Sequence, residues 1–453
     1  MELDLLDLFE FFPKPLAQED HFLAASLQTI FQSKIAKSQA TGKDGVRIGR
    51  FEENLLAETA LIERKVKAGS YRFTTFKERL LLRGFDRRPR QISIPTVRDR
   101  LTLRAICQVL HTHQSDSVGP SPHSLIMGVV KAIRDGDQSK KSFVRIDVRD
   151  FFPSLSHLIL KRELSHFGFH NLIIEIVIRA IETSTGASEA KPLKGIPQGL
   201  SISGALSSLY MLRFDKRRKD EEPLYFRYVD DILLICDTSQ ADNVLNAVSR
   251  SLRSRGLVIH KKGVAGKTEI SPVESGIDFL GYKICVDQVS IRDSSYHRMF
   301  KNLLKLVTDF RYRRDVNRFV FRMNLKITGC IVDQRRRGWM MFFSHTEDVS
   351  QLAFLDAFLQ KQLKRVKFPA DKFLQIKSLV KSYHEIRYNL VATTYIPNLD
   401  NFDLLQKAEA VAALSGKDLV AVLAMDAEDI DSEFSRYISR EVHDLEQDVG
   451  NPS

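Results

Sequence analysis

The sequence predicts an α+β fold in which short apolar strands alternate with amphipathic helices. Apolar residues recur every three or four positions in 155–183 and 241–253, which is typical of helices. Apolar runs of strand length occupy 143–148, 225–228 and 232–236. A pair of aspartates separates the last two runs, which predicts a β-hairpin that carries carboxylates at its turn.

The other elements are predicted from the same kinds of pattern. We expect helices at 22–31 and 51–66, with a turn at 42–45 between them. Within the basic stretch 77–104 we expect a strand at 90–95 and a helix that starts near Val97. Further along the chain we expect a loop at 195–203, a helix at 205–213 and a strand at 257–259. After Tyr282 the chain is mainly helical and basic, and from about Met425 it is acidic.

Composition limits the class of protein and its partners. The 453 residues are 43% hydrophobic and 28% charged, as in globular proteins, and the net charge of +11 favours a polyanionic partner. No apolar run approaches the roughly 18 residues that span a bilayer, and the acidic start is unlike a signal peptide. We therefore expect a cytoplasmic protein without membrane contact, with four reduced thiols at Cys107, Cys236, Cys285 and Cys330.

Three aspartates are the leading catalytic candidates. Asp147 ends the strand at 143–148, and Asp230 and Asp231 lie at the hairpin turn. We expect no compensating cation beside them, and clustered carboxylates repel one another unless a divalent metal neutralises them. Oxygen ligands of this kind suit Mg²⁺, with Mn²⁺ as a substitute, and two such ions stabilise the attacking and leaving oxygens of phosphoryl transfer.

Motifs in a characteristic order give the chain a resemblance to reverse transcriptases. They are 90–95 with 97–100 in the fingers, 144–153, 195–203 and 225–234 in the palm, and 279–282 at the primer grip. The resemblance covers about 40–345 and implies a right-hand polymerase that makes DNA on an RNA template. The implied organisation is an N-terminal helical and fingers segment at 1–70, fingers at 71–140, a palm at 141–290, a helical thumb at 291–396 and a small acidic helical extension at 397–453.

The resemblance also implies which residues hold the metals and select the sugar. Asp147, Asp230 and Asp231 would bind the metals, with the Val148 carbonyl as a further ligand. Phe152 follows Asp147 by five positions. A ring there would exclude a ribose 2′-hydroxyl, so that deoxynucleotides are preferred.

Contacts with the incoming nucleotide follow from the same motifs. Gln198 and Gly199 would line the nucleotide and the template strand, because glycine lets the backbone approach a ligand closely. Arg90 would contact the triphosphate, since a guanidinium can hold phosphate oxygens with two bonds. Neighbouring arginines are further candidates for this contact, namely Arg83, Arg87 and Arg88.

The fourth palm motif leaves two lysines open. Lys267 precedes a threonine as in the family, whereas Lys262 has the more usual distance from the Gly256-Leu257 pair. Either lysine could protonate the pyrophosphate leaving group. His260, close by, is interpreted as a local structural residue.

The region after the palm resembles bacterial enzymes. The stretch 335–343 resembles the Gly-Trp-x-x-aromatic thumb signature of group II intron and related enzymes, with Trp339 as a core anchor. Basic thumb helices would follow the phosphates of a template–primer duplex. No endonuclease, RNase H, protease or integrase pattern follows. This profile resembles stand-alone defence-associated antiphage reverse transcriptases, and 327–331 resembles the type encoded with a second reverse transcriptase and a noncoding RNA.

The partners implied are a structured noncoding RNA template, deoxynucleotides, the DNA product, and a second reverse transcriptase or a second copy of the chain. One departure from the family is the stretch 119–123, which stands where the family usually has Ser-x-Gly-Phe-Arg. That motif makes the usual fingers contact with the template, so we do not expect this contact in its usual form. Two alternatives stay open: a mobile-element or group II intron-like enzyme that also aids RNA maturation, and an RNA-binding scaffold whose polymerase is vestigial.

Overall fold

The structure is a computed structural model that describes residues 17–36, 40–81, 89–135, 137–187, 191–218, 223–263 and 267–449. It divides into two compact units. The first unit comprises Met1–Pro120 and Phe143–Ile270, and the second comprises Ser121–Ser142 and Ser271–Ser453. Within the described residues no helix is long and apolar enough to cross a membrane.

The helices and strands have the following bounds. The helices are α1 Ala24–Ile30, α2 Ile48–Glu52, α3 Leu55–Lys67, α4 Val97–His113, α5 Pro122–Arg134, α6 Phe151–Ser154, α7 His157–His166, α8 Asn171–Ile181, α9 Ser203–Lys216, α10 Ala241–Arg253, α11 Asp293–Arg313, α12 Val316–Thr328, α13 Trp339–Phe342, α14 Val349–Arg365, α15 Leu379–Tyr388, α16 Leu404–Ser415, α17 Leu419–Leu423 and α18 Ala427–Val449. The strands are β1 Lys77–Leu81, β2 Arg90–Ile94, β3 Lys141–Arg149, β4 Leu224–Tyr228, β5 Asp231–Asp237, β6 Val258–Ile259, β7 Glu269–Pro272, β8 Ile277–Phe279, β9 Tyr282–Ile284, β10 Val289–Ile291, β11 Cys330–Val332 and β12 Arg335–Arg337.

The central sheet of the first unit has the strand order β4-β5-β3-β6, and β7 also pairs with β3. The first six residues of β5 are buried, as expected for a continuous apolar run in the middle of a sheet. The predicted hairpin is confirmed, with Tyr228 paired to Asp231. Because β3 lies beside β5, Asp147 reaches the same sheet edge as the hairpin turn.

Helix α4 begins at the predicted residue because Thr96 caps it. The Thr96 hydroxyl accepts from the Asp99 amide, and the buried Asp99 carboxylate accepts from the Tyr71 hydroxyl at 2.8 Å and the Thr74 amide at 3.0 Å. Burial raises the pKa of Asp99 despite these bonds. The network fixes the segment between β2, which pairs antiparallel with β1, and α4.

A close approach between two glycines explains the Gly-Trp motif in the second unit. A Cβ on Gly338 would lie 2.6 Å from the Gly329 Cα, and one on Gly329 would lie 2.3 Å from the Arg337 carbonyl oxygen. Only glycine therefore fits at these positions of the β11–β12 hairpin. Trp339 is fully buried, 4.9 Å from the Phe343 ring between centroids, as expected of a core anchor.

The C-terminal helices of the second unit share a core with the segment before them. Buried side chains from α12, β11, α16, α17 and α18 form one cluster, which includes Leu325, Cys330, Val411, Val422 and Phe434. The Ile331 amide donates to the Pro397 carbonyl at 3.0 Å. The four cysteines are free thiols, as predicted.

Candidate active site

The hairpin turn presents Asp230 through a strained backbone. Val229 has φ of 55°, a left-handed conformation that is a genuine outlier for a β-branched residue. The buried Arg227 guanidinium donates to the Val229 carbonyl at 2.9 Å and forms an ion pair with Asp215. Because Arg227 is itself held by Asp215, the surrounding structure maintains the strain, as is typical of functional turns.

Asp147 and Asp230 approach each other across neighbouring strands. The Val148 amide donates to the Asp230 carbonyl at 3.3 Å, which joins the two segments directly beside both carboxylates. Burial, together with the charges of Asp147 and Asp231, raises the pKa of Asp230 to about 6, although a backbone hydrogen bond and the Arg90 charge act to lower it. The structure thus brings four predicted site residues within electrostatic reach of one another.

The expectation of uncompensated carboxylates was wrong for Asp231. The Arg145 guanidinium contacts both Asp231 oxygens at 3.2 Å, Nε to Oδ1 and Nη2 to Oδ2, and both side chains are buried. Arg145 lies two positions before Asp147 on β3, so both side chains leave the same face of the strand. That alternation was the sequence signal that could have found Arg145.

Asp147 also has a cation beside it, which corrects the same expectation. Lys267 Nζ lies 2.8 Å from Asp147 Oδ2, and His260 Nε2 lies 3.3 Å from the same oxygen. Lys262 instead pairs with Asp242 at 2.6 Å. Of the two lysines that the sequence left as alternatives, Lys267 is therefore the one that contacts the aspartates. His260, which was interpreted as a local structural residue, also lies beside Asp147.

The second palm motif lies against the strand that begins at Arg90. The Ser93 amide donates to the Gln198 carbonyl at 2.7 Å. Gly199 has φ of 100°, and a Cβ there would lie 2.7 Å from Ile92 Cγ2 and 2.8 Å from the Ser93 carbonyl oxygen. Glycine is thus required by both backbone conformation and space.

Phe152 connects the first and second palm motifs. Its carbonyl accepts from the Ile196 amide at 2.9 Å, and its half-buried ring meets Phe151 edge-on at 5.5 Å between centroids. A residue that sequence reasoning missed holds the same loop: buried His157 contacts the Gly195 carbonyl oxygen through Nε2 at 2.7 Å.

Three further arginine candidates cannot be located relative to the aspartates. Arg83, Arg87 and Arg88 lie outside the described residues. His123, in the stretch that departs from the family, packs in the second unit against Phe342, whose carbonyl oxygen lies 2.8 Å from His123 Nε2.

The donor chemistry fits a divalent cation at Asp147 and Asp230. Asp230 is partly buried among like charges, and a hard cation would relieve that repulsion. Asp231 differs because both of its oxygens already accept from Arg145. Across the part of the chain that the structure describes, no three His, Cys, Asp or Glu side chains are arranged to hold a metal. A metal ion that takes the place of Lys267 Nζ on Asp147 Oδ2 would displace this lysine.

Carboxylates at one edge of a sheet, with the charge of Arg90 acting on Asp230, form an arrangement that could bind metal and phosphate groups. Residues 84–284 match the family model described as "Reverse transcriptase (RNA-dependent DNA polymerase)". This span is therefore a domain of the reverse transcriptase type, and reverse transcriptases are enzymes of the RNA-directed DNA polymerase class. The predicted α+β polymerase fold class is confirmed.

Comparison with individual proteins gives more distant similarities. The chain is 25% identical over 145 residues to the "Putative COX1/OXI3 intron 1 protein" of Saccharomyces cerevisiae, which covers 30% of this chain and 17% of that protein. Among solved structures it is similar to telomerase from Candida albicans with a fragment of telomeric RNA, at 15% identity and a TM-score of 0.43, covering 84% of this chain and 69% of that one. Apo telomerase from Candida tropicalis gives 13% identity and a TM-score of 0.40, covering 93% and 88%.

Proposed function

We propose that this chain copies RNA into DNA by nucleotidyl transfer at Asp147 and Asp230. The observation that carries the proposal is the hydrogen bond from the Val148 amide to the Asp230 carbonyl at 3.3 Å, which holds Asp147 and Asp230 side by side on neighbouring segments. In the proposed reaction the primer 3′-hydroxyl oxygen attacks the α-phosphorus of a deoxynucleoside triphosphate. A new P–O bond forms, the hydroxyl proton passes to water, and the bond to pyrophosphate breaks.

The residues that would hold the metal ions are Asp147, Asp230 and the Val148 carbonyl, with Asp231 as a supporting charge. Bound Mg²⁺ ions, or Mn²⁺ in their place, would activate the attacking hydroxyl and neutralise the triphosphate. Asp231 is held by Arg145, so its contribution is to shape the field at Asp230 and the position of the turn. This division of roles between adjacent aspartates is our refinement of the predicted three-aspartate set.

The remaining residues position the substrate. Arg90 holds the triphosphate oxygens, and Phe152 blocks the space that a 2′-hydroxyl would need. Gln198 and Gly199 present backbone to the nucleotide and template, supported by the contact of this loop with Ser93. Lys267 Nζ, 2.8 Å from Asp147, moves to donate its proton to the departing pyrophosphate oxygen.

The proposed role is bacterial antiphage defence, with a structured noncoding RNA as the template and deoxynucleotides as substrates. The support for the defence role is the resemblance of 327–331 to enzymes of that kind, and the support for an RNA partner is the net charge of +11. The proposed organisation comprises an N-terminal segment, fingers, palm, thumb and acidic extension, and the proposed location is the cytoplasm. A second reverse transcriptase or a second copy of the chain is the proposed protein partner.

One experiment tests both the activity and the template. The protein is purified from its host with bound nucleic acid, which is sequenced for wild type and for Asp230→Ala/Asp231→Ala. We expect DNA complementary to one RNA in the wild type and none in the double variant. Absence of any DNA that depends on these aspartates would overturn the proposal and favour the RNA-binding scaffold.

A second candidate function is that of an intron-encoded enzyme. The similarity to a protein named for an intron, 25% identical over 145 residues, favours it. The same sequencing distinguishes the two, because an enzyme of this kind would carry the intron RNA that contains its own coding region. A short noncoding RNA in that place would exclude it.

A further inference from the structure

An arginine cavity lies in the first unit, between α7, α9 and the segment that ends α10, with a volume of about 200 Å³. Five arginines and one acid line it, namely Arg162, Arg213, Arg217, Arg218, Arg255 and Glu163. None of these residues belongs to the proposed polymerisation site. Such a concentration of one charge needs either solvent or an anionic ligand to offset the mutual repulsion.

Three of the arginines are held in place by the protein. Arg255 donates to the Tyr210 carbonyl at 2.6 Å and pairs with Glu163 at 3.2 Å, and Arg213 lies 3.8 Å from the same carboxylate oxygen. The Arg218 guanidinium lies 3.8 Å from the centre of the Phe214 ring and donates to the Phe214 carbonyl. These three guanidinium groups are pre-organised, which lowers the entropic cost of binding a ligand.

The cavity keeps an excess of positive charge. Burial lowers the pKa of Arg218, the charges of Tyr225 and Asp215 act to raise it, and those of Arg217 and Arg255 act to lower it, so the guanidinium groups act on one another. Glu163 is buried, and its Oε2 has no hydrogen-bond partner, so one carboxylate is engaged on one oxygen only. Glu163, the one acid that lines the cavity, cannot neutralise five arginines, and a bound anion would offset part of the remaining positive charge.

The cavity offers guanidinium groups to an anion and no open aromatic ring to a base. Phe214 is buried and its ring is covered by Arg218, so the ring offers no stacking surface. A volume near 200 Å³ suits phosphate groups better than a whole nucleotide. Beyond the cavity, α10 continues with an open polar face of Asn243, Asn246, Arg250 and Arg253. At about 1.5 Å per residue, this helix spans roughly 20 Å and can follow several successive phosphates.

We propose that the arginine cavity binds phosphate groups of an RNA backbone, that the polar face of α10 extends the contact, and that the RNA is thereby anchored outside the catalytic residues. The choice of RNA as the polyanion rests on the proposed function. The charge, the pre-organised guanidinium groups and the absence of a stacking surface are independent of it.

The test measures binding of a labelled RNA hairpin with a blocked 3′ end to the full chain, without nucleotides or divalent metal. Fluorescence anisotropy is recorded over a range of KCl concentrations for wild type and for Arg162→Gln/Arg217→Gln, whose altered side chains are both exposed. We expect binding about tenfold weaker near 0.1 M salt and a slope of log affinity against log salt that is smaller by about two.

Matched variants keep the result specific. Arg50→Gln/Arg64→Gln removes the same charge from exposed positions on α2 and α3, and we expect a clearly smaller change in slope. Arg162→Lys/Arg217→Lys retains the charge and should recover most of the slope. Equal losses for the two glutamine pairs, or a lysine pair as weak as its glutamine counterpart, would overturn the proposal. If micromolar inorganic pyrophosphate displaces the hairpin, the ligand of the cavity is a free phosphate compound, and the proposal of an RNA ligand is overturned. Because no nucleotide is present, a failure of polymerase activity would not affect these outcomes.

Discussion

Two ion pairs at one edge of the same sheet differ in burial and geometry. The Arg145–Asp231 pair has two bonds, and its side chains are 8% and 2% exposed. The Lys267–Asp147 pair has one bond, and its side chains are 41% and 18% exposed. Separating a buried pair leaves an uncompensated charge, whereas water and ions readily replace a half-exposed one. We infer that the first pair is a permanent feature of the fold and the second opens during the reaction.

The largest expected effect comes from Asp230, which belongs to neither of these two ion pairs. Asp230→Asn should lower primer extension at least about 10³-fold, because removing a metal ligand removes several kcal/mol of transition-state stabilisation. Mg²⁺ should raise the melting temperature of wild type and leave that of Asp230→Asn unchanged. Extension on a synthetic RNA template checks the activity, and thermal melts check the metal effect. A variant that keeps more than a tenth of wild-type activity would remove Asp230 from the metal site.

Arg145→Met should break the permanent pair and destabilise the protein. Asp231 would remain buried and lose both bonds to the guanidinium, and breaking a buried pair in this way costs about 3–5 kcal/mol. Urea denaturation measures the free energy of unfolding. Arg145→Met/Asp231→Met removes both charges and should recover most of that loss. If Arg145→Met unfolds at the wild-type urea concentration, the pair is not a structural element, and the contrast with Lys267 disappears.

Lys267→Gln should have the opposite profile. Its stability should change by less than about 1 kcal/mol, because exposed pairs contribute little. Primer extension should fall about 10²-fold if Lys267 is the general acid. Lys262→Gln is the matched control, since Lys262 pairs with Asp242 away from the aspartates. Equal activity losses in the two variants would contradict the assignment.

The smallest expected effect on activity concerns Phe152, an uncharged residue that follows the strand of Asp147. Phe152→Ala should accept ribonucleotides about tenfold better relative to deoxynucleotides, because one missing ring removes only a steric barrier. The measurement is the ratio of kcat/KM for matched ribo- and deoxynucleotides. An unchanged ratio would assign Phe152 to packing against Phe151 alone.

The helical and strand patterns were reliable where one face is buried. Helix α10 matches its predicted bounds because its apolar residues face the core, and α4 begins at the predicted Val97 because Thr96 caps it. The predicted helical region 155–183 was less accurate. The structure divides it into α7 and α8, since Gly168 has φ of 77° and ends the first helix.

The site was predictable in its members and not in its pairings. Asp147, Asp230 and Gln198 were found from motif order, and they lie where adjacent strands and loops meet. The pairing of Lys267 with Asp147 joins residues 120 positions apart, and no local pattern reports a contact of that range. Arg145 was visible as a neighbour of Asp147 on the strand, but its partner Asp231 is 86 positions away.

By itself the sequence determined the class of fold, the carboxylate set and the glycines that allow close backbone approach. These features depend on side-chain periodicity and on local backbone preferences, which neighbouring residues already contain. The tertiary structure alone decided which aspartate is bound to an arginine, which lysine reaches the site and which arginines share a cavity. These outcomes depend on distances between segments far apart in the chain, and electrostatic interactions at such distances exist only once the sheet and its helices have assembled.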